Sequence, residues 1–148
     1  MSDAPDQALA EVIDRQAIID VLIKYVTALD QKDWELLAEQ FTPDAVVDYS
    51  AEGGPVCRGR AEVVADCQAD LGALDATHHL TGNFAVDVQG DVATSTSLVQ
   101  AWHYSGGATQ LMAGGYRDRL VRTPEGWKLE HRELRVAFES GDQSIKGR

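Results

Sequence analysis

The chain has 148 residues, of which 44% are hydrophobic and 25% are charged, and this composition is typical of a globular protein with one domain. Its 13 basic residues oppose 24 acidic residues, so the formal net charge is −11. With no basic stripe, this charge argues against nucleic acid or an anionic membrane as a partner. The first residues lack the pattern of a signal peptide, and no segment approaches the length of a membrane span. We therefore expect a cytoplasmic protein whose ligand is neutral or contacts local basic residues.

The cysteines and histidines lack the spacing of a metal site. Cys57 and Cys67 have no CxxC or Cys/His pattern around them, so we expect two thiols rather than a disulfide framework or a zinc site. His78 and His79 are adjacent, so on a strand they point to opposite faces and cannot chelate one ion together. No metal and no cofactor are expected.

Helical patterns come first along the chain. Apolar residues recur at three- and four-residue spacing over about residues 8–30, which predicts a first helix. Asp33 is placed to cap a short second helix, and a short strand from Ala45 to Tyr49 follows it. Similar spacing from Arg60 to about Leu74 predicts a third helix.

From Thr77 onward the pattern changes to long β-type segments separated by turn sequences. Strands are predicted over about residues 78–88, 92–104, 109–122 and 127–138. Antiparallel hairpins that follow a run of helices indicate an α+β fold in which helices cover one face of the sheet. We expect a single domain over 8–138, with residues 1–7 and 139–148 as flexible termini.

Asp30 places a carboxylate on the apolar stripe of the first helix. The i+4 row Leu22, Val26 and Asp30 carries the apolar face into the acid. Because the end of a helix disfavours negative charge and burial disfavours a lone ion, Asp30 needs a partner. His79 is the best candidate, since an imidazole held by a carboxylate is a general base near neutral pH. Alternatively, Asp30 begins the turn before Asp33 and faces water.

The strands indicate how a pocket is lined. One parity of the second long strand is rich in small residues and leaves room for a ligand: Ala93, Ser95, Ser97, Val99, Ala101 and His103. In the last strand the apolar side chains change from odd-numbered to even-numbered positions midway, which predicts a bulge or bend near His131. If Arg135 then points inward, it is a buried cation that orients a ligand oxygen or pairs with Asp30. The alternative is an exposed arginine on the strand.

Several segments carry a resemblance to a known family: Lys24 to Trp34, Phe41 to Ala45, Val47 to Tyr49, His78 to Asn83 and Glu125 to Leu129. Together they resemble the SnoaL-like branch of the nuclear transport factor two-like superfamily over about residues 8–138. The resemblance implies a cone-shaped half-barrel, in which three N-terminal helices pack on a highly curved, mixed and mostly antiparallel sheet around a deep, largely apolar pocket. Members include dehydratases, a dehydrochlorinase, cyclases, isomerases and non-catalytic subunits, so the fold does not settle the chemistry.

The resemblance also implies site residues. Asp30 and His79 match the catalytic aspartate and histidine of scytalone dehydratase and of hexachlorocyclohexane dehydrochlorinase. Tyr25 and Arg135 match active-site residues of the bile-acid 7α-dehydratase. Tyr49 matches a tyrosine that helps to activate the substrate carbonyl in scytalone dehydratase.

A second catalytic histidine of that enzyme aligns with Trp102 or His103. The one-residue uncertainty would move the side chain across the sheet, so both residues remain candidates for contact with substrate. Val26, on the helix beside Tyr25, is also expected to line the pocket.

The resemblance, with these residues, implies a lyase that needs no cofactor and acts on a small apolar, cyclic, polyketide- or steroid-like metabolite by dehydratase-type elimination or a related proton transfer. Asp30 would orient His79, the base, and Tyr25 or Tyr49 would donate a hydrogen bond to a developing oxyanion or a leaving hydroxyl. An isomerase or polyketide cyclase is the alternative enzyme. A small-molecule carrier, or the small subunit of a ring-hydroxylating dioxygenase, is the non-catalytic alternative.

We also expect a homo-oligomer. Large residues on the outer parity of the second long strand, among them Trp102, would be exposed in a monomer if His103 faces inward. Because a second copy would bury them, we expect a trimer in preference to a dimer.

Overall fold

The computed structural model describes residues 3–146. The helices are α1 (Asp3–Gln31), α2 (Trp34–Glu39) and α3 (Arg60–Leu71), with 3-10 turns at Ser50–Glu52 and Gln143–Ile145. The strands are β1 (Phe41–Asp48), β2 (Val56–Arg58), β3 (Ala76–Gln89), β4 (Val92–Ser105), β5 (Ala108–Thr123) and β6 (Gly126–Gly141). The predicted order of helices and four long strands is confirmed. The sequence did not predict β2, because three residues are too few to carry a periodic signal.

The elements at both ends extend beyond their predicted limits. Helix α1 begins at Asp3 and β6 ends at Gly141, so regular structure includes parts of 1–7 and 139–148. The flexibility of these segments stays a prediction, and residues 1–2 and 147–148 lie outside the described residues.

The sheet has six strands in the order β2-β1-β6-β5-β4-β3. Strands β3 to β6 form successive antiparallel hairpins, and β1 lies parallel to β6. Because β2 and β3 are edge strands that do not pair with each other, the sheet stays open as a half-barrel. The predicted α+β class and the mixed, mostly antiparallel sheet are confirmed.

A bulge in β6 changes which residues face the helices. Leu129 pairs with Leu120 of β5, whereas His131 pairs with the adjacent Arg119, so Glu130 is an extra residue on β6. The predicted bulge near His131 is therefore confirmed. Beyond the bulge, the even-numbered residues of β6 point inward up to a second register shift, which lies opposite Ala113 and Gly114.

A second irregularity brings three strands unusually close. At Gly114 of β5, a Cβ atom would lie 2.0 Å from the Arg135 carbonyl oxygen, and at Gly115 it would lie 2.6 Å from the Ser97 carbonyl oxygen. Both distances are too short for any side chain. Glycine thus permits the close approach of the strands beside the register shift between Ala113 and Gly114.

Helix α1 carries Asp30 to the sheet. Its apolar stripe is at most 8% exposed and comprises Ile18, Val21, Leu22, Tyr25, Val26 and Leu29. The stripe packs mainly on β3 and also on β6, so the C-terminal end of the helix lies against the start of β3. Within residues 3–146, no helix is long and apolar enough to cross a membrane.

Candidate active site

Asp30 and His79 are in direct contact. The Asp30 carboxylate accepts hydrogen bonds from the Thr77 hydroxyl at 2.9 Å and from the His79 main-chain N–H at 2.8 Å. The Nδ1 atom of His79 lies 2.6 Å from Asp30 Oδ1. The Asp30 side chain is 24% exposed, so most of it is withdrawn from water. The structure brings together the two residues on which the predicted catalysis depends.

The protonation of this pair follows from its contacts. Burial raises the pKa of Asp30, but the hydrogen bonds from His79 and Thr77 outweigh burial and leave that pKa lowered. An ionised carboxylate only accepts hydrogen bonds, so His79 Nδ1 carries the proton and donates to it. The other ring nitrogen, Nε2, is then the unprotonated atom of a neutral His79. The His79 imidazole also lines a cavity.

This cavity lies between the helices and the concave face of the sheet. Its volume is about 30 Å³, and its lining residues are Tyr25, Leu29, Tyr49, Glu52, Cys67, Asp70, Leu71, His79, Ala101, His103, Met112, Tyr116 and Leu134. The resemblance implied a deep, largely apolar pocket, but here tyrosines and Met112 fill much of the space. A cyclic ligand needs a pocket of roughly several hundred Å³, so ligand entry requires side chains to move.

Three tyrosines form one wall of the cavity. The hydroxyl groups of Tyr25 and Tyr49 are 2.8 Å apart, and the Tyr49 hydroxyl lies 3.3 Å from Cys67 Sγ. The Tyr116 ring packs edge-to-face on Tyr25, with a centroid distance of 5.7 Å. Burial raises the pKa of all three phenols, so they remain protonated at neutral pH and can donate hydrogen bonds.

Arg132 packs against the rings of two of these tyrosines. Its guanidinium lies 4.2 Å from the centre of the Tyr25 ring and 3.8 Å from that of Tyr116, and it donates to both carboxylate oxygens of Asp118 at 2.7 and 2.8 Å. Burial lowers the pKa of Arg132, but Asp118 raises it by more, so the group stays charged. The buried cation of this site is therefore Arg132.

Arg135 does not occupy the position that the resemblance implied. Its side chain is 52% exposed and pairs with Glu133 at 3.1 Å. The physical reason is the bulge at Glu130, which turns the side chains of Glu133 and Arg135 outward. The alternative of an exposed strand arginine is correct.

Of the two candidates on β4, His103 faces the cavity and Trp102 does not. His103 is 6% exposed, and its ring centre lies 5.9 Å from that of His79. Trp102 is 43% exposed on the opposite face of the sheet. Val26 is buried in the core, 5% exposed, and is not among the cavity-lining residues, so its predicted contact with substrate is not supported by this geometry.

His103 is held by an amide. Its Nδ1 atom lies 2.7 Å from Oε1 of Gln110 on β5, and Gln110 is fully buried. Burial and the neighbouring His79 lower the pKa of His103, against the opposing effect of Gln110. His103 is therefore neutral near pH 7, whereas Asp30 is charged.

Sequence reasoning missed four residues of this region: Gln110, Tyr116, Asp118 and Arg132. The first three alternate on the inward parity of β5, and Arg132 shares its parity with Leu134. Continuing the apolar parity beyond the predicted bulge would have pointed to Arg132. Among residues 3–146, no group of three or more His, Cys, Asp or Glu side chains is placed to hold a metal ion.

Comparisons of sequence agree with this fold. The family model described as "SnoaL-like domain" matches residues 10–133. An uncharacterized protein of Mycobacterium tuberculosis is 36% identical over 136 residues, which cover 89% of this chain and 91% of that protein. Terrestric acid biosynthesis cluster protein E of Penicillium crustosum is 31% identical over 145 residues, which cover 91% of this chain and 90% of that protein.

Solved structures show the same architecture. A candidate aromatic ring hydroxylase of Novosphingobium aromaticivorans has a TM-score of 0.85 at 28% identity and covers 93% of this chain and 98% of its own. A candidate scytalone dehydratase of the same organism has a TM-score of 0.81 at 27% identity, with 93% and 91% covered. A hexachlorocyclohexane dehydrochlorinase from Novosphingobium barchaimii, at 19% identity and a TM-score of 0.80 with 94% and 97% covered, shares the fold alone. With residues 10–133 matched, the chain belongs to the SnoaL-like domain family of the nuclear transport factor two-like superfamily.

Proposed function

We propose that this protein is a lyase that requires no cofactor and removes water, or transfers a proton in a related reaction, on an apolar cyclic metabolite. The observation that carries the proposal is the 2.6 Å contact between His79 Nδ1 and Asp30 Oδ1, which leaves His79 Nε2 as a base at the cavity. A histidine that is held by a carboxylate on one nitrogen and lines a cavity is typical of a functional site.

The reaction begins when His79 Nε2 removes a proton from a carbon next to a carbonyl group. The C–H electron pair forms the new C=C bond while the bond to a hydroxyl on the adjacent carbon breaks. The leaving oxygen takes the proton from the His79 imidazolium and departs as water, so the dyad returns to its starting state. Asp30 stabilises the imidazolium in between.

The tyrosines supply the second requirement, which is stabilisation of the carbonyl oxygen as it gains negative charge. Tyr25, Tyr49 and Tyr116 are protonated donors that line a cavity of about 30 Å³, and a hydrogen bond to an ionised oxygen is stronger than one to a neutral oxygen. Arg132, stacked on the rings of Tyr25 and Tyr116 and paired with Asp118, holds these rings in place behind the cavity. The site thus offers a base and oxyanion donors without a metal.

Two relatives support chemistry on a small molecule. The Penicillium crustosum relative is named for a biosynthesis cluster of an acid, and the Novosphingobium aromaticivorans structure, at 27% identity, is named as a candidate scytalone dehydratase. The alignments with this chain include at least 90% of the length of each of these two proteins. An isomerase or polyketide cyclase would use the same base without loss of water.

The experiment is a screen of hydroxylated cyclic ketones and polycyclic or steroid-like metabolites for loss of water by mass spectrometry, without added metal or nucleotide. Wild-type protein, His79→Ala and the matched control His78→Ala are compared. His78 is an exposed neighbour on the same strand, so its removal should leave turnover unchanged. We expect His79→Ala to reduce turnover about 10²-fold or more.

The screen also separates the alternatives. Isomerised or cyclised product of unchanged mass would favour an isomerase or a cyclase. Tight binding without turnover across the panel would favour a carrier. Copurification with a larger iron-containing protein would favour a dioxygenase subunit, a reading that the candidate aromatic ring hydroxylase at 28% identity keeps open.

A further inference from the structure

Gln110 is a fully buried side chain whose orientation is determined by its surroundings. Its amide nitrogen faces three acceptors, which are the Leu111 carbonyl oxygen at 3.3 Å, Glu139 Oε1 at 3.4 Å and Gln143 Oε1 at 3.5 Å. Each contact is long, but a flipped amide would place its oxygen against all three oxygens. The amide oxygen therefore points to His103, at 2.7 Å from Nδ1.

This orientation selects one tautomer of His103. An amide oxygen only accepts hydrogen bonds, so Nδ1 of His103 must carry the proton. A neutral ring then has its lone pair on Nε2, on the side away from Gln110, and the ring lines the cavity. Both histidines of the cavity thus have Nδ1 held by an acceptor, so the lone pair lies on Nε2 in the neutral form of each ring.

The two acceptors differ in charge. Asp30 stabilises a positive charge on His79, whereas Gln110 places a neutral amide between His103 and the Glu139 carboxylate. The ring centres are 5.9 Å apart, so two protonated rings would repel each other. A proton taken from a substrate is therefore stabilised more on His79, beside the Asp30 carboxylate, than on His103, beside the Gln110 amide.

We propose that Gln110, oriented by Glu139, is a positioning residue that keeps His103 a neutral acceptor, so that His103 Nε2 receives a hydrogen bond from a substrate hydroxyl while His79 takes the proton. This inference rests on the proposed function and deepens it. It assigns the substrate a hydroxyl group toward β4 in addition to the oxygen that the tyrosines recognise. The end of β6, through Glu139, becomes part of the site.

Other ionisable side chains also act on the pKa of His103. His79 and Lys146 act against protonation of His103, whereas Asp70 favours it. Lys146 is also paired with Glu139, so the positive charge of Lys146 offsets part of the carboxylate. A test must therefore keep the local charge constant when it alters Gln110.

The double variant Gln110→Glu/Glu139→Gln does so, because it exchanges the amide and the carboxylate. Gln110→Leu removes the acceptor, and Gln100→Leu, at an exposed position of β4, is the matched control. Protein labelled with ¹⁵N in its 4 histidines is titrated by NMR without substrate, and His103 is assigned by its loss in His103→Gln. This readout does not depend on finding a substrate.

In the wild type and the Gln100→Leu control, we expect His103 to be neutral with the proton on Nδ1 near pH 7. Gln110→Leu should give a mixture of tautomers, and the exchanged variant should raise the pKa of His103 by about 1 unit or more, as an adjacent carboxylate does. An unchanged tautomer in Gln110→Leu, or a charged His103 in the wild type, would overturn the inference. Absence of turnover on every substrate would overturn the proposed function and leave the NMR result intact.

Once a substrate is found, kinetics test the hydroxyl contact. Gln110→Leu should lower kcat/KM about tenfold or more for a substrate that carries the hydroxyl group expected to donate to His103 Nε2. It should change kcat/KM little for the analogue that lacks this hydroxyl. Equal losses for both substrates would count against the contact.

Discussion

The Asp30 carboxylate accepts two hydrogen bonds from the same residue, one from the main-chain N–H of His79 at 2.8 Å and one from its ring at 2.6 Å. The main-chain bond fixes the end of α1 against β3, and the ring bond fixes the tautomer of the base. One carboxylate thus serves both the fold and the candidate site. Its removal should change stability and activity together, and the two effects can be separated by pH.

Asp30→Asn should reduce turnover about 10²-fold, because an amide cannot stabilise the imidazolium as a carboxylate does. Ligand affinity should stay within about tenfold, since Asp30 does not line the cavity. The double variant with His79→Ala should be little worse than either single variant, because the two residues act as a unit. Steady-state kinetics and ligand titration give both values, and multiplicative losses in the double variant would contradict a shared role.

The stability effect of Asp30→Asn should depend on pH. The hydrogen bonds hold the pKa of Asp30 below its ordinary value of 3.8 in the folded protein. A lowered pKa gives stability that is fully present above the unfolded value and is lost as pH falls through the folded value. The stability that the Asp30 charge contributes should therefore shrink as the pH falls below about 4.

Urea unfolding of both proteins as a function of pH measures the difference. The other carboxylates with lowered pKa, Asp14, Asp48 and Asp142, are present in both proteins, so their contributions cancel. A difference that persists unchanged at about pH 3 would show that the Asp30 charge contributes nothing to it.

The two arginines of β6 should behave differently. Arg132 and Asp118 have side chains that are 1% and 0% exposed, so Asp118→Ala leaves an unpaired buried cation and should cost about 3–5 kcal/mol. Arg135→Ala removes an exposed side chain and should change the free energy of unfolding by no more than about 0.5 kcal/mol. Urea unfolding measures both, and equal effects would contradict the assignment of Arg132 as the inward arginine.

An apolar patch on the outer face of the sheet should be covered by further copies of the chain. The patch comprises Leu80, Leu98, Trp102, Tyr104 and Phe138, each 43–63% exposed. We propose a homo-oligomer, with a trimer preferred over a dimer, because a patch of this kind is unfavourable in water. Light scattering should give about three times the chain mass of 16.1 kDa at micromolar concentration.

Variants locate the interface. Leu98→Lys with Trp102→Lys should lower the measured mass to that of one chain, whereas Val56→Lys, an exposed apolar position on β2, should not. A wild-type mass of 16.1 kDa would rule out the oligomer at that concentration. An unchanged mass in the double variant would place the interface elsewhere.

Local patterns in the sequence were sufficient to predict most elements. Helical spacing predicted α1, and an acid on its apolar stripe predicted a partner for Asp30, because a helix keeps its faces in register over its whole length. Turn sequences gave the limits of the four long strands to within three residues. Each of these features is determined by residues that are close together in the chain.

Pairing between strands decided what sequence left open. Side chains alternate along a strand, so a shift of one residue exchanges the two faces. Only the register of β4 with its neighbours placed His103 rather than Trp102 at the cavity, and only the bulge at Glu130 turned Arg132 inward and Arg135 outward.

The sequence by itself determined the α+β class, the order of the elements and the carboxylate that needs a partner, because these depend on local periodicity and on the cost of burying a charge. Only the tertiary structure decided which imidazole, guanidinium and amide surround the cavity, and that the cavity has a volume of about 30 Å³. The physical reason is that these features depend on packing between residues that are distant in the chain, such as Gln110 and Glu139.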